Sequence, residues 1–188
     1  VRLALFGGTF DPIHNAHLAI AHAAVRQLTL DLVRFIPAGK PPHKSGAHAG
    51  YEDRVRMAEL ACATEPAFEV SRLEAGDRHS YSIVTIERVL AEEPRPDPLF
   101  FLIGADAFAE INTWKRWRDV IAAVEFIVVS RPHHGYEIPA GARVHLLEGL
   151  ELAVSSTAIR EALARGCRNV PAPRPVLEYI AERGLYRS

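Results

Sequence analysis

The sequence predicts an α/β fold: one doubly wound, Rossmann-like parallel sheet with helices on both faces. Short apolar runs alternate with longer amphipathic ones along the chain. The short runs are almost continuously hydrophobic, as strands covered on both sides require. With 188 residues, 48% of them apolar and 24% charged, the chain suits a single domain over residues 1–188 with a substantial core. In such sheets ligands bind beyond the carboxyl ends of the strands, where the strand order reverses.

The elements follow in order. Leu3–Phe6 reads as the first strand, and Ala16–Leu28 as a helix with Leu18, Ile20, Ala21, Val25 and Leu28 on roughly one face. Leu32–Ile36 is the second strand. "PAGKPPHKSGAHAG" then combines proline, glycine and basic side chains, which makes it a loop. Tyr51–Thr64 is helical, Phe68–Leu73 alternates like a strand, and Ser82–Leu90 is a helix. "LFFLIGA", from Leu99, is the most apolar strand of all. Val124–Ser130 and the short Val144–Leu147 complete the strands; Ser156–Arg165 and Pro173–Arg183 complete the helices. The C-terminal helices, from about residue 156 to 188, are expected to pack on the sheet, with Val176, Leu177, Ile180 and Leu185 docking the last one. No internal repeat interrupts the pattern.

The formal net charge is −1, which offers no general attraction to nucleic acid or to an anionic membrane, so any anion site must be local. Cys62 and Cys167 lie far apart without metal-ligand spacing and are expected to be free, buried thiols in a reducing compartment. No run is long enough to span a bilayer and no signal-peptide layout opens the chain, so the expected location is cytoplasmic.

The chemistry gathers where the first strand stops. "FGGTFDPIHNAH" places Gly7 and Gly8 where a tight turn would let a ligand approach the main-chain N–H groups of Gly8, Thr9 and Phe10. Pro12 disfavours helix at Asp11 and holds the turn open. His14 and His17 then lie one turn apart near a helix N-terminus, and amides, helix end and imidazoles together suit phosphate oxygens. A dinucleotide fingerprint would need G-x-G-x-x-G, and a P-loop would need a lysine followed by Ser or Thr; neither is present. The histidine pair has a spacing that permits a metal, but zinc takes at least three protein ligands and no third is evident.

A second anion site is spelled by "VSSTAIREAL". Ser155, Ser156 and Thr157 are N-cap candidates, and Arg160 returns one turn later to the same helix end. An ordinary capped helix with a solvated arginine would use the same residues. Asp106, at the end of the most apolar strand with Gly104, is placed either to accept from ribose hydroxyls or to cap the next helix. Trp114 and Trp117 could share a helix face in the core, or stack on a ligand beside Lys115, Arg116 and Arg118. Ser80 or Ser82 could cap the helix that begins "HSYS". Lys40 and Lys44 in the proline-rich loop could meet phosphates, or be merely solvated.

"GGTFDPIHNAH" resembles the G-x-F-x-P-x-H-x-G-H signature of the nucleotidylyltransferase superfamily, with Ala16 where glycine is usual, and "VSSTAIR" resembles its I-S-S-T-x-I-R motif. Along nearly the whole chain, "FIPAGKPPHK", "HSYS", "FLIGADAF", "TWKRW" and "VPAPRPVLEYIAERGLY" are similar to segments of the bacterial nicotinate-nucleotide adenylyltransferases. The resemblance implies the nucleotidylyltransferase fold and adenylyl transfer from ATP to nicotinate mononucleotide, giving deamido-NAD and pyrophosphate. It implies His14, His17 and Arg160 as catalytic residues. Gly7, Gly8, Thr9, Phe10, Lys40, Lys44, Ser155, Ser156 and Thr157 would surround ATP and its phosphates. Gly104 and Asp106 would meet a ribose, and Ser80, Tyr81, Ser82 and Trp114 the pyridine. Magnesium would be held mainly by the ATP phosphates, with no protein-built metal site. The partners expected are ATP and nicotinate mononucleotide, with no nucleic acid and no membrane, and an oligomer left open. Other phosphorylated acceptors, nicotinamide mononucleotide and phosphopantetheine among them, and a non-catalytic nucleotide-binding regulator are the competing readings.

Overall fold

The computed structural model describes residues 1–39, 48–76, 81–130, 135–148, 150 and 153–187. Among these, six strands form one parallel sheet: β1 (Leu3–Gly8), β2 (Leu32–Pro37), β3 (Phe68–Val70), β4 (Leu99–Gly104), β5 (Glu125–Val129) and β6 (Arg143–Leu147). The spatial order is β3-β2-β1-β4-β5-β6. The chain winds outward from β1 to one edge, then returns to β4 on the other side of β1. This is the doubly wound order, and its reversal falls between β1 and β4.

Period-two side-chain alternation divides the core between two faces. Leu3 and Leu5 of β1 join Leu99, Phe101 and Ile103 of β4 beneath α3 (Ser82–Leu90), α4 (Ala105–Ala109) and α5 (Trp117–Ala123). Ala4 and Phe6 join Phe100 and Leu102 on the opposite face, beneath α1 (Asn15–Leu28), α2 (Tyr51–Cys62) and α7 (Arg174–Arg183). Both faces are thus covered, which explains the unbroken hydrophobicity of "LALF" and "LFFLI". In α1 the deepest side chains are Ala16, Ala21, Ala23 and Ala24, while Leu18, Ile20, Val25 and Leu28 flank them half-buried. Small residues let this helix lie close to the sheet.

Differences from expectation have local causes. β3 ends at Val70, not Leu73, because the Ser71 hydroxyl captures the Leu73 N–H at 3.2 Å and turns the chain away from the sheet. Residues 105–123 break into α4, a 3-10 turn (Ile111–Thr113) and α5, each too short for a helical period to show. Trp114 is extended and Arg116 left-handed (φ 53°), so Trp114 and Trp117 do not share a helix face. Cys62 is buried and its thiol is pushed up to about 12 by that burial, whereas Cys167 is exposed, contrary to expectation. No described helix is long and apolar enough to cross a membrane.

The C-terminal segment returns to the first turn. Asn15 N–H donates to Pro171 O at 2.9 Å, and Tyr186 Oη–H donates to the Asp11 carboxylate at 2.6 Å. Val176 and Ile180 of α7 are buried in the same core as Phe6. α6 (Ser156–Ala164) buries Ile159 and lies directly against the 11–12 backbone.

Candidate active site

The glycines after the first strand do not make the turn expected of them. β1 continues through both, pairing Gly7 with Ile36 and Gly8 with Pro37. The chain turns instead at Phe10, whose φ of 52° is left-handed, and at the cis Asp11–Pro12 bond. Gly8 is needed for space: a Cβ there would lie 3.1 Å from the Phe10 ring, which folds back beneath it. Gly7 and Gly104 have a different use. A Cβ at either would meet nothing within 4 Å, because both face open space where β1 and β4 part company. Ala16 sits inside α1 and has no left-handed φ, so a methyl group in the usual glycine position brings no strain.

His14 is the N-cap of α1 and His17 lies in its first turn. Their rings stack with centroids 3.8 Å apart at 22°, while the Phe10 ring meets His17 edge-on at 5.0 Å. The His14 N–H donates to His17 Nδ1 at 3.1 Å. That nitrogen must therefore be unprotonated, and neutral His17 carries its proton on Nε2. His14 is buried, and among the described residues its Nδ1 has no hydrogen-bond partner, an unsatisfied group of the kind a ligand would complete. Burial lowers His14 to about 4; burial and the neighbouring ring lower His17 to about 3. Both are neutral at neutral pH.

The same shifts predict acid sensitivity. An unfolded imidazole protonates near its ordinary 6.5, the folded pair only near 4 and 3, so between these values the unfolded chain binds more protons. Stability therefore falls as the pH drops from about 6.5, and the fall is complete below about 3. In a Tm series from pH 7 to pH 5, set as a test range, the His14→Gln, His17→Gln double variant should lose less than the parent. Equal slopes would contradict the neutral, buried pair.

The second helix start meets this turn directly. Ser155 is the N-cap of α6, its Oγ accepting from Ala158 N–H at 3.1 Å. Ser156 Oγ donates to Pro12 O at 3.0 Å. Arg160 Nη1 donates to Asp11 O at 2.8 Å and Nη2 to Thr157 Oγ1 at 3.3 Å. His14, His17, Ser155 and Ser156 together line a cavity of about 680 Å³ with Phe6, Leu102 and Gly104. Arg160, which braces the loop, and Thr157 are not among the residues that line it.

A smaller cavity of about 260 Å³ adjoins it between β2 and β4 and shares Phe6, Leu102 and Gly104 with the larger one. Gly7, Gly8, Ser82, Thr85, Glu74 and Trp114 line it. Trp114 is half-buried, with Phe101 edge-on at 5.8 Å and 73°. Ser82 is the first residue of α3, but Tyr81 is its N-cap position and no side chain caps it there. Tyr81 is exposed, with Lys115 Nζ 4.5 Å from its ring centroid. Asp106 is exposed in the first turn of α4, where Gly104 and not Asp106 occupies the N-cap position; its neighbour Ala107 lines the cavity. Lys40, Lys44 and Ser80 lie outside the described residues.

Three residues of this region were not among the site residues expected from the sequence. Asp11 is buried and accepts from His48 N–H at 2.7 Å and Ala49 N–H at 3.1 Å. Arg54, buried on α2, reaches the Thr9 carbonyl. Glu74 accepts from Thr85 Oγ1–H at 2.9 Å at the edge of the smaller cavity. Buried charge in the apolar face of a helix is the clue that Arg54 offered, since "RVRMAELA" puts it on the side that Val55, Met57 and Ala58 bury.

Gly104→Val follows from the open space at that position. Its φ of −72° and ψ of 153° suit any residue, so the variant should fold and lose at most about 1 kcal/mol at the α4 N-cap. The isopropyl group would project into the cleft shared by both cavities, and steady-state kinetics should show KM raised about tenfold or more. A changed Tm with unchanged KM would place the role of this glycine in folding.

Comparison with known proteins matches the geometry. The family model described as cytidylyltransferase-like matches residues 5–162. A relative in Solibacter usitatus described as "probable nicotinate-nucleotide adenylyltransferase" is 57% identical over 99% of this chain and 100% of its own length. One in Roseiflexus sp. with the same description is 41% identical over 98% of each chain. The solved structure of the Plasmodium falciparum nicotinic acid mononucleotide adenylyltransferase complexed with NaAD shares the fold, with a TM-score of 0.81 at 17% identity over 98% of this chain and 96% of that one. The strand order, the histidine turn and the matched sequence agree: the chain belongs to the cytidylyltransferase-like family, among the nicotinate-nucleotide adenylyltransferases.

Proposed function

We propose that the protein transfers the adenylyl group of ATP to nicotinate mononucleotide, forming deamido-NAD and pyrophosphate. The observation that carries this reading is the pair of adjoining cavities across the β1/β4 reversal. One is lined by the imidazoles and the α6 start, the other by Trp114 and the α3 start. Two mononucleotides placed in them would bring their phosphates together over Phe6, Leu102 and Gly104. A phosphate oxygen of the acceptor attacks the α-phosphorus; the bond to the β-phosphate oxygen breaks, and pyrophosphate leaves with its charge. The attacking phosphate is already ionised, so positioning and charge stabilisation are the protein's contribution. His17, donating from Nε2, and His14 stabilise the polyphosphate and the charge on the departing oxygen.

Among the described residues no three His, Cys, Asp or Glu side chains gather as a metal cage, and the Asp11 carboxylate is already occupied by His48, Ala49 and Tyr186. These residues fit a magnesium carried on the ATP phosphates, where it would neutralise charge and orient the chain of phosphates. Acid over amide is favoured by the N-terminus of α3 at the smaller cavity, whose dipole suits a carboxylate. Glu74 in the same lining is the observation that favours an amide instead. Pyrophosphate release from ATP and magnesium with each mononucleotide tests both. Turnover with the nicotinate nucleotide well above the nicotinamide one is expected; turnover with neither overturns the reading.

A further inference from the structure

Arg54 is one of the largest fully buried side chains in the molecule, yet it belongs to neither cavity lining. Its guanidinium serves backbone carbonyls from three separate segments. Nη1 donates to Thr9 O at 2.9 Å and Ala38 O at 2.7 Å, Nε to Ala49 O at 3.2 Å, and Nη2 to Gly39 O at 3.4 Å. The segments so joined are the turn after β1, the chain leaving β2, and the approach to α2. Gly39 itself presses so closely on the Glu74 backbone that no side chain would fit. Asp11 supplies the nearby counter-charge, with Tyr51 and Tyr186 as the other titratable groups facing the guanidinium.

The arrangement has a reciprocal half. Asp11 takes donors from His48, Ala49 and Tyr186 on its carboxylate and from Arg160 on its carbonyl. With Ser156 on Pro12, the carbonyls of Thr9, Asp11 and Pro12 are each held by a side-chain donor. Between them lies Phe10, in a left-handed conformation that a bulky residue keeps only when its surroundings over-determine it. Two residues further on, Pro12 leads into the histidine pair. A leucine at position 54 would have sufficed to fill the core; a rigid fork with five donors is suited to tying several carbonyls at once.

We propose that Arg54 is a positioning residue for the transfer reaction: its four carbonyl contacts clamp the Phe10 turn, and thereby fix the seats of His14 and His17. This rests on the adenylyl-transfer reading, but its test does not depend on it alone. Arg54→Lys keeps the charge without the fork and cannot span all three segments. In the full-length chain, with folding checked by circular dichroism, it should lower kcat about 100-fold, as small misplacements of reacting groups do. KM for nicotinate mononucleotide should change less than kcat, within about threefold, because of the four residues whose carbonyls Arg54 holds only Ala38 lines the Trp114 cavity.

Proton NMR titration of the ligand-free protein gives the independent readout. The imidazoles, at about 4 and about 3 in the parent, should move towards 6.5 as the stacked pair loosens. Asp11→Asn, which removes the charge and keeps the shape, should produce the same pair of changes from the other side of the turn. Folded Arg54→Lys with parent kcat and parent histidine titration overturns the proposal. So does an unfolded Arg54→Lys accompanied by an Asp11→Asn variant indistinguishable from the parent. If the parent itself turns over neither substrate pair, the functional reading fails, and the titrations alone decide whether Arg54 holds the turn.

Discussion

His17→Ala lowers kcat by ~10²–10³-fold, the loss that follows removal of one preorganised donor to developing charge. The magnitude rests on how firmly this ring is held. Phe6 and Phe10 meet it edge-on, His14 stacks on it, and the His14 N–H fixes its tautomer. In the proposed reaction the ring would need little reorganisation as charge builds on the departing oxygen. The ring also completes the cap of α1, so alanine should cost about 0.5–2 kcal/mol of stability, the usual scale for a lost cap. Pyrophosphate release measured beside the Tm separates the two effects. Near-parental turnover in a folded variant would remove His17 from the chemistry.

Trp114→Ala raises KM for nicotinate mononucleotide by roughly 2- to 30-fold, the equivalent of 0.5–2 kcal/mol of cation–π attraction to a pyridinium ring. KM for ATP should change little, because the larger cavity is lined without this side chain. Trp114 lines the smaller cavity with Phe101 packed against it in a T-shaped pair, and Arg116, left-handed, separates it from α5. Trp114→Phe keeps a smaller face and should recover part of the loss. Equal increases for both substrates would show that the indole supports the fold rather than the pyridine.

The strands were legible because burial on both faces leaves an unmistakable apolar run, and β1, β2, β4 and β5 differ from expectation by two residues at most at either end. Short elements were not. α4 and α5 span 5 and 7 residues, less than two turns, and Trp114 and Trp117 suggested a shared face that the extended backbone at 114 denies. Motif residues announced the site, but not how each one serves it. Gly7 borders open space instead of making the turn, and the turn falls on Phe10, a residue type that rarely adopts that conformation. Arg160 was legible as an anion ligand, but its hold on the Asp11 carbonyl was not. Long-range contacts such as Tyr186 to Asp11, 175 residues apart, leave no periodicity to read.

A crystal structure of the protein with deamido-NAD bound tests the central claim most directly. The pyridine should lie in the Gly7, Gly104 and Trp114 cavity, with its diphosphate crossing Gly104 towards the two imidazoles and the adenosine beyond Ser156. A dinucleotide seated away from the β1/β4 cleft, or one whose phosphates touch neither histidine, would contradict it.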